Sequence, residues 1–158
     1  MRSSRYLKTR GFSLIELLVV IAIMLVILAV AIPNLTNARS SAAETVVIRE
    51  IQTIHQAQIQ NLSQFGKYAS TLAELGPPPN GTAGPAAANL IPAALASGEK
   101  NGYIFSMAAT TTGFGINANP KAFGSTGRRT FYLDENGVVH HNWGREPATI
   151  KQPGDPIR

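Results

Sequence analysis

The 158-residue chain contains no cysteine. It therefore has no disulfide, no thiolate nucleophile and no cysteine metal ligand, and redox compartment cannot be read from cysteine usage. Its three histidines and nine carboxylates fall at no catalytic spacing, and there is no Gly-rich phosphate loop and no metal-spaced His/Glu set. No enzyme activity and no cofactor are expected from such a set. Acid is also missing from the N-terminal leader, Met1–Gly11, where Arg2, Arg5, Lys8 and Arg10 all lie. The formal net charge of +5 is thus mostly leader charge, because the 147 residues after Gly11 hold 10 basic and 9 acidic groups. A remainder so close to neutral lacks the basic excess that would argue for nucleic-acid binding.

Beyond the leader the chain enters a long apolar run. Leu17–Ile32 is 16 consecutive apolar residues, and with Phe12–Glu16 the segment reaches 21. At about 1.5 Å per residue that is enough to cross a ~30 Å hydrocarbon core. Positive charge beside a membrane helix stays cytoplasmic, so the C-terminal part is expected to be translocated. One carboxylate, Glu16, sits within the run. A charge there costs about 2.5–3.5 kcal/mol at the bilayer centre and less toward the end, which marks it as a functional residue in need of a counter-charge. Two plainer readings stand beside this one. The segment could be an ordinary anchor, or a cleaved secretory signal, since Ala29-Val30-Ala31 fits an A-x-A site. The length of the run and Glu16 speak against the signal.

The basic leader ending in Gly11, the adjoining Phe12, Glu16 in an otherwise apolar helix and Pro33 at its far end resemble the type IV pilin family, which includes the pseudopilins of type II secretion. The resemblance covers Arg10–Pro33 most closely and extends to about Leu75. It implies that a membrane prepilin peptidase cuts between Gly11 and Phe12 and that Phe12 is then N-methylated. The freed amine of Phe12 would pair with Glu16 of a neighbouring subunit during fibre assembly, driven by an inner-membrane assembly platform and its ATPase. The implied location is the bacterial inner membrane, with a cytoplasmic N-terminus and a periplasmic C-terminal domain, and afterwards a filament. The implied partners are lipid before assembly and other copies of the chain after it. Many pilins close a C-terminal loop with a disulfide, and this chain departs from that pattern. The residues leave three readings open: a type IV pilus subunit, a secretion pseudopilin, and a membrane-anchored or secreted binding domain that does not polymerise.

Pro33 falls within a longer helical pattern, where it removes a backbone donor and crowds the preceding turn. A kink or locally meltable point is expected there. From Leu35 to Phe65 the chain has neither Gly nor Pro. Apolar residues recur at Leu35, Ala38, Ala42, Val46, Val47, Ile51, Ile54, Leu62 and Phe65, while Gln56, Gln58, Gln60 and Asn61 mark a more polar face. This reads as an amphipathic helix that lays its stripe on a sheet and stops at Gly66.

The expected fold is α+β, the pilin fold: one long N-terminal helix packed on an antiparallel sheet of about four strands. The segments are a leader (1–11), a membrane and polymerisation helix (12–33), its amphipathic half (34–66), a Pro/Gly-rich loop region (67–100), the sheet (101–143) and a C-terminal tail (144–158) that reads as irregular. Strands are predicted at Tyr103–Ala109, Phe114–Ala118, Arg129–Leu133 and Val138–His141, and a short helix at Leu90–Ala96. Asp134-Glu135-Asn136-Gly137 between the last two runs predicts a hairpin, because Asn136 and Gly137 both tolerate positive φ.

The remaining polar candidates have bland readings. Asp134 and Glu135, with Asp155 from the tail, are weak calcium candidates, because calcium takes six to eight oxygens and a turn accounts for Asp134–Gly137. His140-His141 is a poor metal pair, since adjacent strand residues face opposite ways. Arg128-Arg129 reads as a solvated charge pair, and His55 as a packed or solvated helical side chain.

Overall fold

The computed structural model describes residues 11–148 and 155–157. The basic leader to residue 10, tail residues 149–154 and residue 158 lie outside them. Helix α1 (Leu14–Phe65) is 52 residues long and contains Pro33 in its interior. The chain divides into two compact units, residues 1–37 and 38–158.

In the first unit, the large apolar side chains from Phe12 to Leu35 are all exposed. Among the described residues, α1 is the one helix long and apolar enough to cross a membrane, by length and composition. The helical hydrogen bonding starts at the Ser13 carbonyl, which accepts from the Leu17 N–H at 3.2 Å. Near Pro33, the Thr36 hydroxyl donates to the Ile32 carbonyl at 3.2 Å. The helix is continuous on both sides of the proline.

In the second unit, α1 from Ala38 onward buries a stripe at Ser40, Glu44, Val47, Ile51, Ile54, Ala57, Gln58 and Asn61. Steps of three and four place these on one face. The stripe differs from the predicted one at both ends. Ala38, Ala42 and Val46 are exposed, whereas Gln58 and Asn61, expected on the polar face, are buried. The reason lies in the segment just past the helix. Gly66 stops the helix at φ +71°, and the chain doubles back beside the last turns. There the Gln58 amide donates to the Ala69 carbonyl and accepts from the Ala69 N–H, both at 2.8 Å. The Asn61 amide donates to the Lys67 carbonyl at 2.9 Å. These side chains complete the backbone bonding of the return turn at Lys67 and at the buried Ala69, so polarity and burial coincide.

Two short helices, α2 (Leu72–Leu75) and α3 (Ala93–Ala96), carry Leu72, Leu75 and Leu95 into the core. The Pro/Gly-rich stretch between them is pinned to α2. Ala88, Asn89 and Leu90 N–H groups donate to the carbonyls of Glu74, Gly76 and Leu75 at 2.7–2.8 Å.

The sheet is an antiparallel meander in chain order: β1 (Glu99–Lys100), β2 (Tyr103–Ala109), β3 (Phe114–Pro120), β4 (Arg129–Asp134), β5 (Val139–Trp143) and β6 (Asp155–Pro156). The four long strands are those predicted, and the sheet has six in all. The two extra members are two-residue edge pairs, too short to leave a period-2 signal. Alternation sends Tyr103 and Phe105 of β2, Phe114, Ile116 and Ala118 of β3, Phe131 and Leu133 of β4 and Val139 of β5 toward Val47, Ile51 and Ile54.

The predicted hairpin joins β4 to β5, and Gly137 in its turn has positive φ, at +77°. Asp134 shapes the turn: its carboxylate accepts from Asn136 N–H at 3.0 Å and its carbonyl from Gly137 N–H at 3.1 Å, which is an Asx geometry. The tail reads as irregular, and residues 144–148 form no helix or strand, yet its described part is tied to the sheet; residues 149–154 lie outside the described residues. The Glu146 carbonyl accepts from the Thr130 hydroxyl at 3.0 Å, the Ala148 carbonyl accepts from the Asn117 amide, and Asp155–Pro156 pairs with β5. The many prolines suggested irregularity, but Pro156 lies on an edge strand, where a missing N–H costs no ladder bond.

The Gln58 contact gives a stability test. Gln58→Leu leaves the buried N–H and C=O of Ala69 unpaired, and each such group costs about 1–3 kcal/mol. Urea unfolding followed by circular dichroism should show Gln58→Leu destabilised by about 2–4 kcal/mol, while Gln56→Leu on the exposed face changes stability by less than about 0.5 kcal/mol.

Candidate functional site

Four residues singled out in the sequence lie in the first unit. Gly11 and Phe12 precede α1, and Phe12 is 83% exposed. Glu16 lies in the first helical turn, where a carboxylate is favoured by the helix dipole. It is exposed, and among the described residues it has neither a hydrogen bond nor an ion pair. Pro33 stands inside the helix, 17 residues further along. The first unit therefore presents an apolar rod with one carboxylate near its start, beside the residue that cleavage after Gly11 would leave with a free amine.

A second carboxylate on α1 went unnoticed in the sequence. Glu44 is only 4% exposed. One of its oxygens accepts from the Arg128 backbone N–H at 2.8 Å, and the other from Arg129 Nε at 2.8 Å. The Arg129 guanidinium also lies 5.4 Å from the Phe131 ring centre and 5.2 Å from that of Trp143. The expectation of a solvated Arg128-Arg129 pair is thus wrong for Arg129. Its place on β4 shares the inner face with Phe131 and Leu133, so it points at the helix. The signal was available: a lone carboxylate at a stripe position, three residues before Val47, requires a buried partner. Beside this pair the Tyr103 hydroxyl donates to the Arg129 carbonyl at 3.0 Å. Burial, followed by the charge of Glu44, pushes the Tyr103 hydroxyl well above its usual range, against an opposing effect of Arg129.

The other candidates are dispersed. Asp134 is engaged in its own turn, Glu135 stands at the tip of that turn, and Asp155 lies on β6 opposite His141. Among the described residues no group of three or more His, Asp or Glu is assembled as a metal site. His140 pairs with Tyr132 and His141 with Phe131, which places them on opposite faces of β5. His55 is half-buried, its ring 5.5 Å from that of Phe114 and its Nε2 3.4 Å from the Glu135 carbonyl. It packs the turn onto the helix.

Breaking a buried ion pair from one side costs about 3–5 kcal/mol. Glu44→Ala is expected to lower the unfolding free energy by that amount. Adding Arg129→Met should recover part of the loss, because the second change removes the stranded charge; a double-mutant cycle by urea unfolding measures the coupling.

The family described as the prokaryotic N-terminal methylation motif matches residues 7–32. Two curated proteins are similar over part of the chain. The type IV major pilin protein PilA of Myxococcus xanthus is 32% identical over 77 residues, which is 48% of this chain and 35% of the relative. The type IV wide pilus major component PilA4 of Thermus thermophilus is 42% identical over 66 residues, which is 42% of this chain and 50% of the relative. The chain thus spans half or less of the length of these relatives. No solved structure matches it.

Proposed function

We propose, from the premise that this chain is a type IV pilin-like protein, that it is a structural subunit of a type IV pilus or similar filament and not an enzyme. The observation that carries the reading is the exposed apolar helix Leu14–Ile32, which bears a single carboxylate and lies directly after Gly11-Phe12. Both relatives are major pilus components by name, which favours a pilus over a secretion pseudopilin.

In this reading a prepilin peptidase cleaves between Gly11 and Phe12 and methylates Phe12. Before assembly the apolar segment lies in the inner membrane, the leader on the cytoplasmic side and the domain from Ala38 on the periplasmic side. An assembly platform and its ATPase then extract the subunit. On extraction the segment must trade lipid for other helices, and the Phe12 amine trades the aqueous interface for the carboxylate of Glu16 on a neighbouring copy. Opposite charges lower each other's desolvation cost in a low-dielectric bundle. The apolar surfaces supply the packing energy, and the charge pair sets the axial offset of one copy against the next.

Intact-protein mass spectrometry tests the processing: the mature chain is expected to begin at N-methylated Phe12, and Gly11→Val to remain uncut in the membrane. A chain beginning at Ile32 would mean ordinary signal-peptide cleavage and end the proposal. Glu16→Ala is expected to insert and be cleaved normally, because losing a charge only makes the helix more apolar. Its fibre yield, counted by electron microscopy, should fall steeply, since each subunit loses a pair whose rupture costs about 3–5 kcal/mol. Wild-type yield from a processed Glu16→Ala chain would leave a plain membrane anchor as the better account.

A further inference from the structure

The sheet carries opposite charge at its two ends. β4 finishes in Asp134, with Glu135 next in the turn, and begins at Arg128-Arg129. The end of β5 lies beside that beginning, because Arg129 pairs with Trp143. The first buried turns of α1 reach the same end, where Glu44 accepts from the Arg128 N–H and from Arg129.

Two large aromatic side chains stand out of this end. Trp143 is 66% exposed and Phe123 37%. With Arg128 they line an open recess of about 380 Å³. The Arg129 guanidinium lies 5.2 Å from the Trp143 ring centre, and that of Arg145 lies 5.8 Å from the Phe123 ring centre. A cation against one side braces each ring. Three exposed arginines, Arg39, Arg128 and Arg145, gather here. The nearby carboxylates Glu44, Glu50 and Glu99 are paired with Arg129, Lys100 and Lys121. Glu146 adjoins Arg145, and Asp155 stands further along β5, opposite His141. Cations therefore prevail around the two rings.

Aromatic rings rimmed by cations suit a membrane–water interface, where tryptophan sits at headgroup depth and arginine meets lipid phosphate. Nucleic acid presents stacking faces and phosphates too, but the chain after Gly11 lacks the overall basic excess of a nucleic-acid binder. Chain continuity favours lipid. α1 enters this end directly from the apolar segment: Arg39 follows Ile32 by seven residues and Glu44 by twelve, no more than ~10 and ~18 Å along a helix. The headgroup layer is itself about 5–8 Å deep, and a tilt of about 20° is ordinary for a membrane helix. We propose that this end of the domain docks on an anionic phospholipid surface, with Trp143 and Phe123 in the headgroup layer and Arg128 and Arg145 on lipid phosphates. The proposal rests on the reading of Phe12–Ile32 as a membrane segment.

Trp143 is the one tryptophan in the chain, so its fluorescence reports on this patch. The test uses the full-length protein in vesicles of phosphatidylcholine, or of equal parts phosphatidylcholine and phosphatidylglycerol, each with the same amount of phosphatidylcholine brominated in its acyl chains. Flotation isolates the protein that is in the bilayer. Quenching of Trp143 by the brominated chains is expected to be at least roughly twofold greater in the anionic vesicles. It should fall to the neutral value in about 1 M salt, where the screening length is about 3 Å. Arg128→Gln combined with Arg145→Gln should also give the neutral value, and Arg128→Lys combined with Arg145→Lys should restore the difference, since phosphate accepts from either cation. The lysine pair and the melting temperature separate lost charge from lost fold. A chain that does not float ends the membrane reading, and the proposal with it. A chain that floats but is quenched equally in both vesicles, or is unchanged by the glutamine pair, overturns the proposal alone. Trp143 emission that follows the number of copies per vesicle, or added oligothymidylate, and not phosphatidylglycerol assigns the patch to the acidic turn of a second copy or to nucleic acid, and overturns it too.

Discussion

Glu44 draws in the backbone of Arg128 and the side chain of Arg129, and Gln58, about four helical turns further on, holds both polar groups of Ala69. Between them lie Val47, Ile51 and Ile54 against the sheet. The apolar contact provides most of the attraction but is non-directional. A smooth stripe tolerates sliding by a turn, and helix–sheet packing alone would not choose between registers. The two polar anchors remove that freedom. Each is buried, so a slip would strand a charge or an amide away from water, at a cost that apolar contacts made in the slipped register do not offset. One end of the helix is thereby tied to the start of β4, and the other to the return turn that leads into α2.

The same helix has a different character before Ala38. There the large apolar side chains are exposed around the whole circumference, which is the pattern of a segment whose neighbours are lipid or other helices rather than its own domain. Pro33 lies near the end of this part, where it deletes one helical donor while the helix continues on both sides.

Most of this organisation was legible in the residues. The apolar run, Glu16, Pro33 and the four long strands each carry a strong periodic or compositional signal, and the strands appear within two residues of their predicted ends. The features that escaped are those decided by distant partners. Gln58 and Asn61 look like solvent-facing residues until Lys67–Ala69 return beside them. Arg129 looks solvated until β4 is known to turn it inward toward Glu44, 85 positions earlier. β1 and β6 are two residues each and exist only because a longer neighbour offers free backbone groups. The seat of the Tyr132 ring on Gly115 depends on the pairing of β3 with β4, a matter of register that no local pattern encodes.

The absence of cysteine bears on how this sheet is finished. No disulfide clips the tail. It is held by the Thr130 and Asn117 bonds to residues 146 and 148, by β6, and by Ile157, whose N–H donates to the Val139 carbonyl at 2.8 Å. Pro147, Pro153 and Pro156 restrict the unfolded tail, which acts on the same conformational entropy that a disulfide would reduce. The result also protects the sheet edges. At one edge β1 is two charged residues, with Lys100 paired to Glu50 and Glu99 to Lys121, each at 2.5 Å. At the other edge β6 ends in a proline. Short strands, charge and proline are the devices that stop one sheet from adding to another. Edges so guarded disfavour strand pairing between copies. Among the described residues, the surface from Leu14 to Ile32 is extended, apolar and free of charge except at Glu16, and it is the surface on which the proposed assembly depends.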